Sequence, residues 1–242
     1  MRALAKVNPL PALSSLFYPA TCVVCSRDVE RPDYLCESCR DRAPRIAPPF
    51  CTKCSEPFFG AITQTFSCAN CEHRILHFDS AIASYRSRGL VRQLVHAFKY
   101  GRQRHLRHPL AGWLGETMSD PRLRGRRFDM IVPVPLHPAR ERERGFNQAA
   151  LLAELFARQA AVPLRLALER IRYTNTQTAY DRAERMENLH DAFRLRKNVN
   201  VRELHVLLID DVLTTGSTLS ECARVLKKAG AVSVYAATTA RA

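Results

Sequence analysis

Residues 206–218, near the end of the chain, constrain the fold more than any other segment of the sequence. They read VLLIDDVLTTGST, which is four apolar residues, two adjacent aspartates and a loop of small, mostly hydroxylated residues. A short apolar run of this kind is typical of a strand buried on both faces of a parallel sheet. Asp210 and Asp211 fall where such a strand is expected to end. The following small residues predict a tight loop into a helix.

Each part of this segment has a separate chemical use. Paired carboxylates at a strand end can hold the vicinal hydroxyls of a sugar or an oxygen-liganded cation such as Mg²⁺. A helix start behind a small-residue loop offers backbone amides to an anion, and phosphate is its usual occupant. Threonine and serine also cap helices, and an Asp-Asp pair can be a solvated turn, so either half alone favours a structural explanation. The complete run favours a site for a phosphorylated sugar.

The segment resembles the phosphoribosyl pyrophosphate (PRPP) signature of type I phosphoribosyltransferases, in which two acidic residues precede T-T-G-x-T. By this resemblance Asp210 and Asp211 contact the ribose 2′ and 3′ hydroxyls, and the loop wraps the 5′-phosphate. The loop residues are Thr214, Thr215, Gly216, Ser217 and Thr218. The segment lacks the lysine of a Walker loop and the glycine spacing of a dinucleotide-binding fingerprint.

Eight of the nine cysteines form four C-x-x-C pairs toward the N-terminus. The pairs are Cys22 and Cys25, Cys36 and Cys39, Cys51 and Cys54, and Cys68 and Cys71. Two such pairs close one tetrahedral Zn²⁺ site, and a site with four sulfur ligands is structural because no position stays open for catalysis. We therefore predict two structural zinc ions in two weakly repeated zinc ribbons. Sequential pairing is expected, and the spacing leaves a cross-braced pairing open.

Disulfides are the rival explanation for these pairs, and they require an oxidising compartment. The first residues carry Arg2 and Lys6 but are interrupted by Pro9 and Pro11, so we expect no signal peptide and a cytoplasmic protein. A thioredoxin-type redox role calls for one pair beside a parallel sheet, not four pairs in succession. The ninth cysteine, Cys222, shares an apolar helix face with leucines and is predicted to be a core residue.

Strand-like and helix-like segments alternate from residue 78 onward, which predicts a parallel α/β sheet flanked by helices. The predicted strands cover residues 79–85, 128–136, 164–171, 192–195, 204–211 and 232–239. The predicted helices cover residues 88–100, 106–118, 146–160 and 217–229. We expect a double zinc ribbon with a short N-terminal helix over 1–74 and a phosphoribosyltransferase-like domain over 75–242. Parallel strands would bring VPVPLHP to the same sheet edge as the aspartates.

Two polar segments flank this predicted edge. Arg140, Arg142 and Arg144 follow VPVPLHP and suit a pyrophosphate group, because guanidinium forks bind phosphate oxygens in pairs. A solvated Arg–Glu run is an equal alternative. Residues 172–190 are long and poor in apolar periodicity, which predicts either a lid over the ligand or an ordinary surface excursion.

The formal charge of +14 is unevenly distributed. Residues 1–74 hold nine Lys/Arg against seven Asp/Glu, whereas residues 75–242 hold 28 against 16. Two zinc-tetrathiolate sites would lower the total to about +10. A basic surplus in the C-terminal part fits a polyanionic ligand or nucleic acid, and a solvated arginine-rich surface is the simpler alternative.

The order of these motifs resembles that of the ComF family over residues 16–240. The shared elements are the four C-x-x-C pairs, a K-Y segment, VPVPLHPxRxRxRGFNQ, a T-x-x-Q and R-x-x-R-x-x-N stretch, and the Asp-Asp loop. By this resemblance a lid contains Thr174, Gln177, Arg182, Arg185 and Asn188. Relatives often read K-Y-R-G-D where this chain has Lys99, Tyr100 and then Gly-Arg-Gln, so that acid is missing. ComF proteins are cytoplasmic and linked to uptake of single-stranded DNA in naturally transformable bacteria.

The resemblance implies that an unknown acceptor displaces pyrophosphate from PRPP. Magnesium would accompany PRPP, and the aspartate pair and the three arginines are the expected catalytic groups. A protein of another class is the alternative: a non-catalytic competence factor that binds single-stranded DNA or the uptake machinery and uses PRPP or a nucleotide as a signal. Phe58, Phe59 and Tyr100 are the aromatic candidates for base stacking. We expect no membrane insertion, since no apolar run approaches the ~20 residues that span a bilayer.

Overall fold

The computed structural model describes residues 20–30, 33–58, 60, 66–173 and 189–242. The chain divides into two compact units, residues 1–42 and 43–242. The first unit holds the first two C-x-x-C pairs, and the second holds the other two together with the α/β body. The domain boundary between residues 74 and 75 stays a prediction. The expected N-terminal helix lies outside the described residues.

The second unit alternates strands and helices as the sequence predicts. In chain order the described elements are α1 (Glu37–Asp41, in the first unit), α2 (Ala69–Glu72), β1 (Ala81–Arg86), α3 (Gly89–Tyr100), a 3₁₀ turn (Arg104–Leu106), α4 (Arg107–Gly115), a 3₁₀ turn (Glu116–Ser119), β2 (Met130–Pro133), α5 (Pro138–Arg144), α6 (Gln148–Ala160), β3 (Leu168–Arg170), β4 (Phe193–Leu195), β5 (His205–Leu213), α7 (Ser217–Lys228) and β6 (Ser233–Arg241).

Four strands form one sheet in the order β1-β6-β5-β2, and every neighbouring pair is parallel. The predicted parallel sheet is therefore confirmed. Parallel alignment of β2 with β5 brings the segment after Pro133 and the aspartate pair to one edge of the sheet. The short strands β3 and β4 pair only with each other, and that pairing is antiparallel. They form a separate ribbon whose partners the sequence did not predict.

The apolar faces of the helices are buried as their periodicity predicts. In α3 the buried positions are Val91, Leu94, Val95 and Phe98. The predicted face included Leu90, which is only half-buried because Val91 takes the position nearest the core. Cys222 of α7 is fully buried in the same core cluster as Leu219 and Leu226, which confirms its assignment to the core.

Strand β5 continues past the aspartates, so the expected strand end at Asp211 is wrong. Strand β6 stays alongside β5, with Asp210 opposite Thr238 and Leu213 opposite Arg241. A partner strand that extends this far satisfies the backbone groups of the additional residues, which lets the strand continue through the polar pair. The aspartates are therefore held by sheet hydrogen bonding, and the loop begins after Leu213.

The arginine run after β2 is helical, although no helix was predicted there. His137 caps the first turn of α5 by accepting a hydrogen bond from the Ala139 amide (3.2 Å), and Pro138 occupies a first-turn position. Gly145 ends the helix in the left-handed conformation, with φ of 79°. The helix thus occupies the space just beyond the carboxyl end of β2.

Asn147 connects this helix to the body in two ways. Its Oδ1 accepts a hydrogen bond from the Ala150 amide (3.3 Å), which caps α6. Its Nδ2 donates to the carbonyl of Val134 (3.1 Å), just after β2. The side chain fixes the start of α6 relative to the sheet edge.

We predict that Asn147→Ala lowers the free energy of unfolding by about 1–2 kcal/mol, because both hydrogen bonds are lost. Chemical denaturation measures the change. Gln159→Ala, at an exposed position near the end of the same helix, is the control and should change stability little. An equal effect of the two substitutions would contradict the role given to Asn147.

Candidate functional site

The loop after β5 has the geometry of an anion site. Gly216 lies at the start of α7 with φ of 77°, and no side chain caps this helix. Gly216 therefore offers no side-chain acceptor to the first helical turn, and a long hydrogen bond from the Ser217 amide to Thr215 (3.4 Å) leaves the start of the helix open to a ligand. A Cβ atom at Gly216 would meet the ring of Phe78 at 3.4 Å, so both the backbone angle and the packing favour glycine there.

The hydroxyl groups of the loop are linked to one another. The Oγ1 of Thr215 lies 2.9 Å from the Oγ of Ser217 and accepts a longer hydrogen bond from the Ser217 amide (3.4 Å). Ser217 is buried, Thr215 and Thr218 are half-buried, and Thr214 is exposed. The loop thus presents amides and hydroxyls on a short, well-connected piece of backbone.

The aspartate pair precedes this loop and shares one cation. The Nζ of Lys99, at the end of α3, lies 2.9 Å from the Oδ2 of Asp211. The amide of Asp211 donates to the Oδ1 of Asp210 (2.9 Å). Asp211 is buried and Asp210 half-buried. The two acids therefore belong to one cluster.

The charges of this cluster shift each other's ionisation. Burial, followed by the neighbouring Asp211 carboxylate, raises the pKa of Asp210 to about 7. Burial lowers the pKa of Lys99, but the carboxylates of Asp211 and Asp210 outweigh it and the net shift is upward. The lysine stays charged next to the acids. In the sequence Lys99 stands out only as part of a family motif, and nothing in the pattern around it assigns it to the site.

Two of the three predicted arginines lie on one face of α5. Arg140 and Arg144 are one helical turn apart and half-buried, whereas Arg142 is exposed on the opposite side of the helix. The guanidinium of Arg144 lies 4.9 Å from the ring centre of Tyr100 and donates to its hydroxyl (3.3 Å). The guanidinium of Arg140 lies 5.6 Å from the ring centre of Tyr173.

Arg170, at the end of β3, adds a positive group that the sequence did not single out. Burial and the nearby charge of Arg140 lower the pKa of Arg170, while Asp210 acts in the opposite direction. Arg170 therefore lies within electrostatic range of both Arg140 and Asp210. The lid residues predicted by resemblance, from Thr174 to Asn188, lie outside the described residues.

The eight paired cysteines form two separate four-sulfur clusters. Each cluster takes its sulfurs from two consecutive pairs, and within a cluster the sulfurs all lie within 4.8 Å of one another. The groups are Cys22, Cys25, Cys36 and Cys39, and Cys51, Cys54, Cys68 and Cys71. The sequential pairing is therefore confirmed, and the cross-braced alternative is excluded.

The sulfur spacing fits tetrahedral zinc. Zn–S bonds of about 2.3 Å place tetrahedral sulfurs about 3.8 Å apart. Cys25 and Cys36 are 3.6 Å apart, and Cys54 and Cys68 are 3.5 Å apart. A bound zinc ion joins the two C-x-x-C pairs of each ribbon. It also stabilises the thiolate form of the cysteines, which the closeness of four sulfurs otherwise disfavours.

The two ribbons repeat the same local backbone. In each ribbon, the backbone amide of the first cysteine donates a hydrogen bond to the carbonyl of the residue five positions later. The amide of the residue four positions after that cysteine donates to the carbonyl of the cysteine. Ser26 and Ser55 adopt the same left-handed angle, with φ of 58° and 59°. The expected internal repeat is visible as a repeated cysteine knuckle. The second cluster is also part of the hydrophobic core of the α/β body.

The second ribbon contacts the anion loop directly. Asn70 and Arg74 both donate hydrogen bonds to the carbonyl of Thr215. Nothing in the sequence pattern signals these contacts, because the partners are far apart along the chain.

Within the described part of the chain, no helix has the length and hydropathy needed to cross a bilayer.

Comparison with known proteins identifies both parts of the chain. Residues 13–72 match the double zinc ribbon domain, and residues 147–242 match the phosphoribosyl transferase domain. The predicted fold, a phosphoribosyltransferase-like sheet with an N-terminal double zinc ribbon, is confirmed by these matches together with the sheet and the sulfur clusters.

Several relatives are similar over most of their length. Competence protein F of Haemophilus influenzae is 30% identical over 234 residues, which cover 93% of this chain and 99% of that protein. DNA utilization protein YhgH of Escherichia coli is 31% identical over 223 residues, with 90% and 96% covered. Competence protein ComFC of Bacillus subtilis is 30% identical over 217 residues, with 86% and 84% covered.

We predict that the two zinc clusters differ in their effect on the α/β body. Trp113 is the only tryptophan and is buried in the second unit, so its fluorescence reports unfolding of residues 43–242. Cys51→Ser removes a ligand from the cluster in that core and should lower the midpoint of thermal unfolding by about 10 °C or more.

Cys22→Ser is the matched control, since it removes the corresponding ligand from the cluster of the first unit. It should leave the Trp113 transition nearly unchanged. Equal shifts in the two variants would contradict the assignment of the second cluster to the core of the body.

We predict a pH-dependent stability difference at Asp210. Its pKa is about 7 in the folded protein against an ordinary value of 3.8. Between these values the folded state retains a proton that the unfolded state has released, so Asp210 lowers stability as pH rises toward 7. Asparagine cannot ionise. The stability advantage of Asp210→Asn over the wild type should therefore grow from pH 5 to pH 7 and then level off.

Thermal unfolding at several pH values measures this difference. Asp211→Asn is the control, because it removes the partner of Lys99 and should be less stable than the wild type throughout. A constant difference between Asp210→Asn and the wild type at all pH values would show that Asp210 does not titrate near 7.

Proposed function

We propose that this chain, which belongs to the family of competence protein F and ComFC, binds PRPP and acts as a phosphoribosyltransferase-like protein in the handling of imported DNA. The role in DNA is carried over from the names of its relatives, competence protein F and DNA utilization protein. The ligand is inferred from the site itself. We further propose that the protein works in the cytoplasm.

One observation carries the choice of ligand. A helix start without a side-chain cap follows, after a short loop, a pair of carboxylates of which Asp211 is buried and bound to Lys99 and Asp210 is half-buried. A phosphate suits the amides, and a diol suits the carboxylates, because hydroxyl groups donate hydrogen bonds to carboxylate oxygens. A 5-phosphorylated ribose carries both groups on one small molecule.

Each residue of the site then has a role. Asp210 and Asp211 accept hydrogen bonds from the ribose hydroxyls, and Lys99 forms an ion pair with Asp211. The loop of Thr214–Thr218 binds the 5′-phosphate. Arg140 and Arg144, on the inner face of α5, neutralise the pyrophosphate group. Arg142 lies on the other side of the helix and has no part in this arrangement.

The reaction is displacement at the anomeric carbon of PRPP. The acceptor forms a bond to C1, the bond from C1 to the pyrophosphate oxygen breaks, and the acceptor loses a proton. Pyrophosphate leaves with the bonding electrons, and Mg²⁺ bound together with PRPP would supply charge screening for it. Positioning and charge stabilisation by the chain's own residues supply the rate, so no side-chain nucleophile is needed.

A second candidate function rests on the exposed aromatic residues beside the site. Tyr100 and Tyr173 are 60% and 50% exposed, and each has an arginine of α5 against its ring. Aromatic rings flanked by cations bind single-stranded nucleic acid by stacking. The protein would then hold single-stranded DNA or a partner from the uptake machinery and bind PRPP only as a signal. Phe58, 41% exposed, packs edge-on against Phe66, and Phe59 lies outside the described residues.

We predict that calorimetry detects PRPP binding in the presence of Mg²⁺ and that Asp210→Asn with Asp211→Asn weakens it at least about tenfold. The reason is the loss of charge-assisted hydrogen bonds to the ribose. Arg142→Ala is the matched control on the outer face of α5 and should bind PRPP as the wild type does. Unchanged binding in the double variant would remove the role given to the acids.

The two functions differ in product release. Pyrophosphate formed from PRPP in the presence of a panel of bases, amines and single-stranded DNA would support transfer. Binding of PRPP with no pyrophosphate released by any of them would favour the signal function.

A further inference from the structure

We infer that Arg74, assisted by Asn70, is a positioning residue for the phosphate loop and determines the affinity for the 5′-phosphate. Both residues belong to the second zinc ribbon, which then has a part in ligand binding besides its part in stability. The inference rests on the proposed function, because it assigns the 5′-phosphate to the loop of Thr214–Thr218.

The contacts of Arg74 converge on two atoms of the loop. Its Nη1 donates to the carbonyl oxygen of Thr215 (2.9 Å), and its Nη2 donates to the Oγ of Ser217 (2.9 Å). The Nδ2 of Asn70 donates to the same Thr215 carbonyl (3.2 Å). The Oδ1 of Asn70 accepts from the Nη1 of Arg74 (2.8 Å), so the two side chains hold each other in place.

Holding the carbonyl of Thr215 fixes the direction of the next amide. In a planar trans peptide the C=O and the following N–H point in opposite directions. With the Thr215 oxygen held by Arg74 and Asn70, the N–H of Gly216 points away from the ribbon. Glycine is the residue whose peptides turn most easily, so an unrestrained loop would sample both orientations. The ribbon thus orients an amide for the ligand before the ligand arrives.

The second contact orders the hydroxyl groups. Because the Oγ of Ser217 accepts from Arg74, its own proton is free to go to the Oγ1 of Thr215, 2.9 Å away. The Thr215 hydroxyl then has its proton left for a further acceptor, which a phosphate oxygen supplies. The guanidinium behind this chain of hydroxyls also adds positive charge at the helix start, where an anion is favoured already.

The two positioning residues are attached to a rigid base. Asn70 lies between Cys68 and Cys71 in α2, and Arg74 follows three residues after Cys71. The other knuckle of this cluster is bonded to β1, since the Ala81 amide donates to the carbonyl of Lys53 (2.8 Å). In addition, the buried hydroxyl of Ser55 donates to the Ala81 carbonyl (3.0 Å). The cluster therefore connects the edge strand of the sheet to the loop.

Two partial ligands separate this role from a general loss of structure. Ribose 5-phosphate carries the group assigned to the loop, and Mg²⁺-pyrophosphate carries the group assigned to α5. Calorimetry on the full chain with zinc bound, using PRPP and each partial ligand, compares Arg74→Ala with the wild type. We expect the dissociation constants of PRPP and ribose 5-phosphate to rise about tenfold or more, and that of pyrophosphate to stay unchanged.

Three further variants make the test specific. Arg165→Ala removes the same charge from an exposed position and, among the described residues, makes no side-chain hydrogen bond to the loop, so it should bind all three ligands normally. Arg74→Lys keeps the charge but cannot reach both acceptors, so it should recover part of the affinity. Asn70→Ala removes one of the two donors to Thr215 and should weaken ribose 5-phosphate binding by a smaller factor, which provides a result even if Arg74→Ala does not fold.

The outcomes distinguish the inference from the function on which it rests. Wild-type protein that binds neither PRPP nor ribose 5-phosphate overturns both. Wild-type binding that Arg74→Ala and Asn70→Ala leave unchanged overturns the inference alone. Equal weakening of ribose 5-phosphate and pyrophosphate, with a lowered Trp113 unfolding midpoint, also overturns it, because the substitution would then act through overall stability.

Discussion

The pairing of β5 with β6 carries two adjacent carboxylates into the edge of a parallel sheet, and the rest of the site compensates for their burial. Backbone hydrogen bonds hold the strand on both sides of Asp210 and Asp211, so the pair cannot turn out into solvent. Buried carboxylates are costly unless a cation or a hydrogen-bond donor is near them. Lys99 supplies the cation, and the raised pKa of Asp210 shows that the compensation is incomplete. A site of this kind is built to receive donors, which the hydroxyls of a sugar provide.

The second zinc ribbon is better described as part of the α/β body than as an appendage. Its sulfur cluster lies within the hydrophobic core, and hydrogen bonds connect it both to β1 and to the loop after β5. The first ribbon has the same cysteine knuckle but falls in the separate unit of residues 1–42. One repeated motif therefore serves two structural purposes. In the second ribbon, Asn70 between two cysteines and Arg74 after them donate hydrogen bonds to the loop.

The two candidate functions use neighbouring surfaces and different chemistry. The proposed transfer would depend on the carboxylates and the loop, whose residues are buried or half-buried except for the exposed Thr214. Nucleic-acid binding depends on Tyr100 and Tyr173, whose rings are exposed and lie against the arginines of α5. Because Arg140 and Arg144 belong to both surfaces, a polyanion bound at the tyrosines would compete with the pyrophosphate group for the same positive charge. The two candidate functions would therefore share the positive charge of one helix.

The sequence by itself determined the features that depend on neighbouring residues. Apolar periodicity predicted the strands and helices of the parallel sheet, C-x-x-C spacing predicted two four-sulfur clusters, and the Asp-Asp loop predicted an anion site at a helix start. Each of these features depends on residues that are close together in the sequence. The helical form of the arginine run is also local, since Pro138 begins it and Gly145 ends it, but the alternation of Arg and Glu concealed these signals.

Only the tertiary structure decided which distant groups meet. Strand β5 passes the aspartates because β6 runs beside it, and Lys99 pairs with Asp211 because α3 ends at the same sheet edge. Arg74 and Thr215 are 141 positions apart, and the sequence pattern of neither segment predicts a contact with the other. Such contacts follow from how whole elements pack, so their energies depend on the complete fold. The physical reason is that neighbouring residues determine the backbone conformation that a segment prefers. The packing of whole elements determines which ion-pair and hydrogen-bond partners reach a charged side chain or a carbonyl.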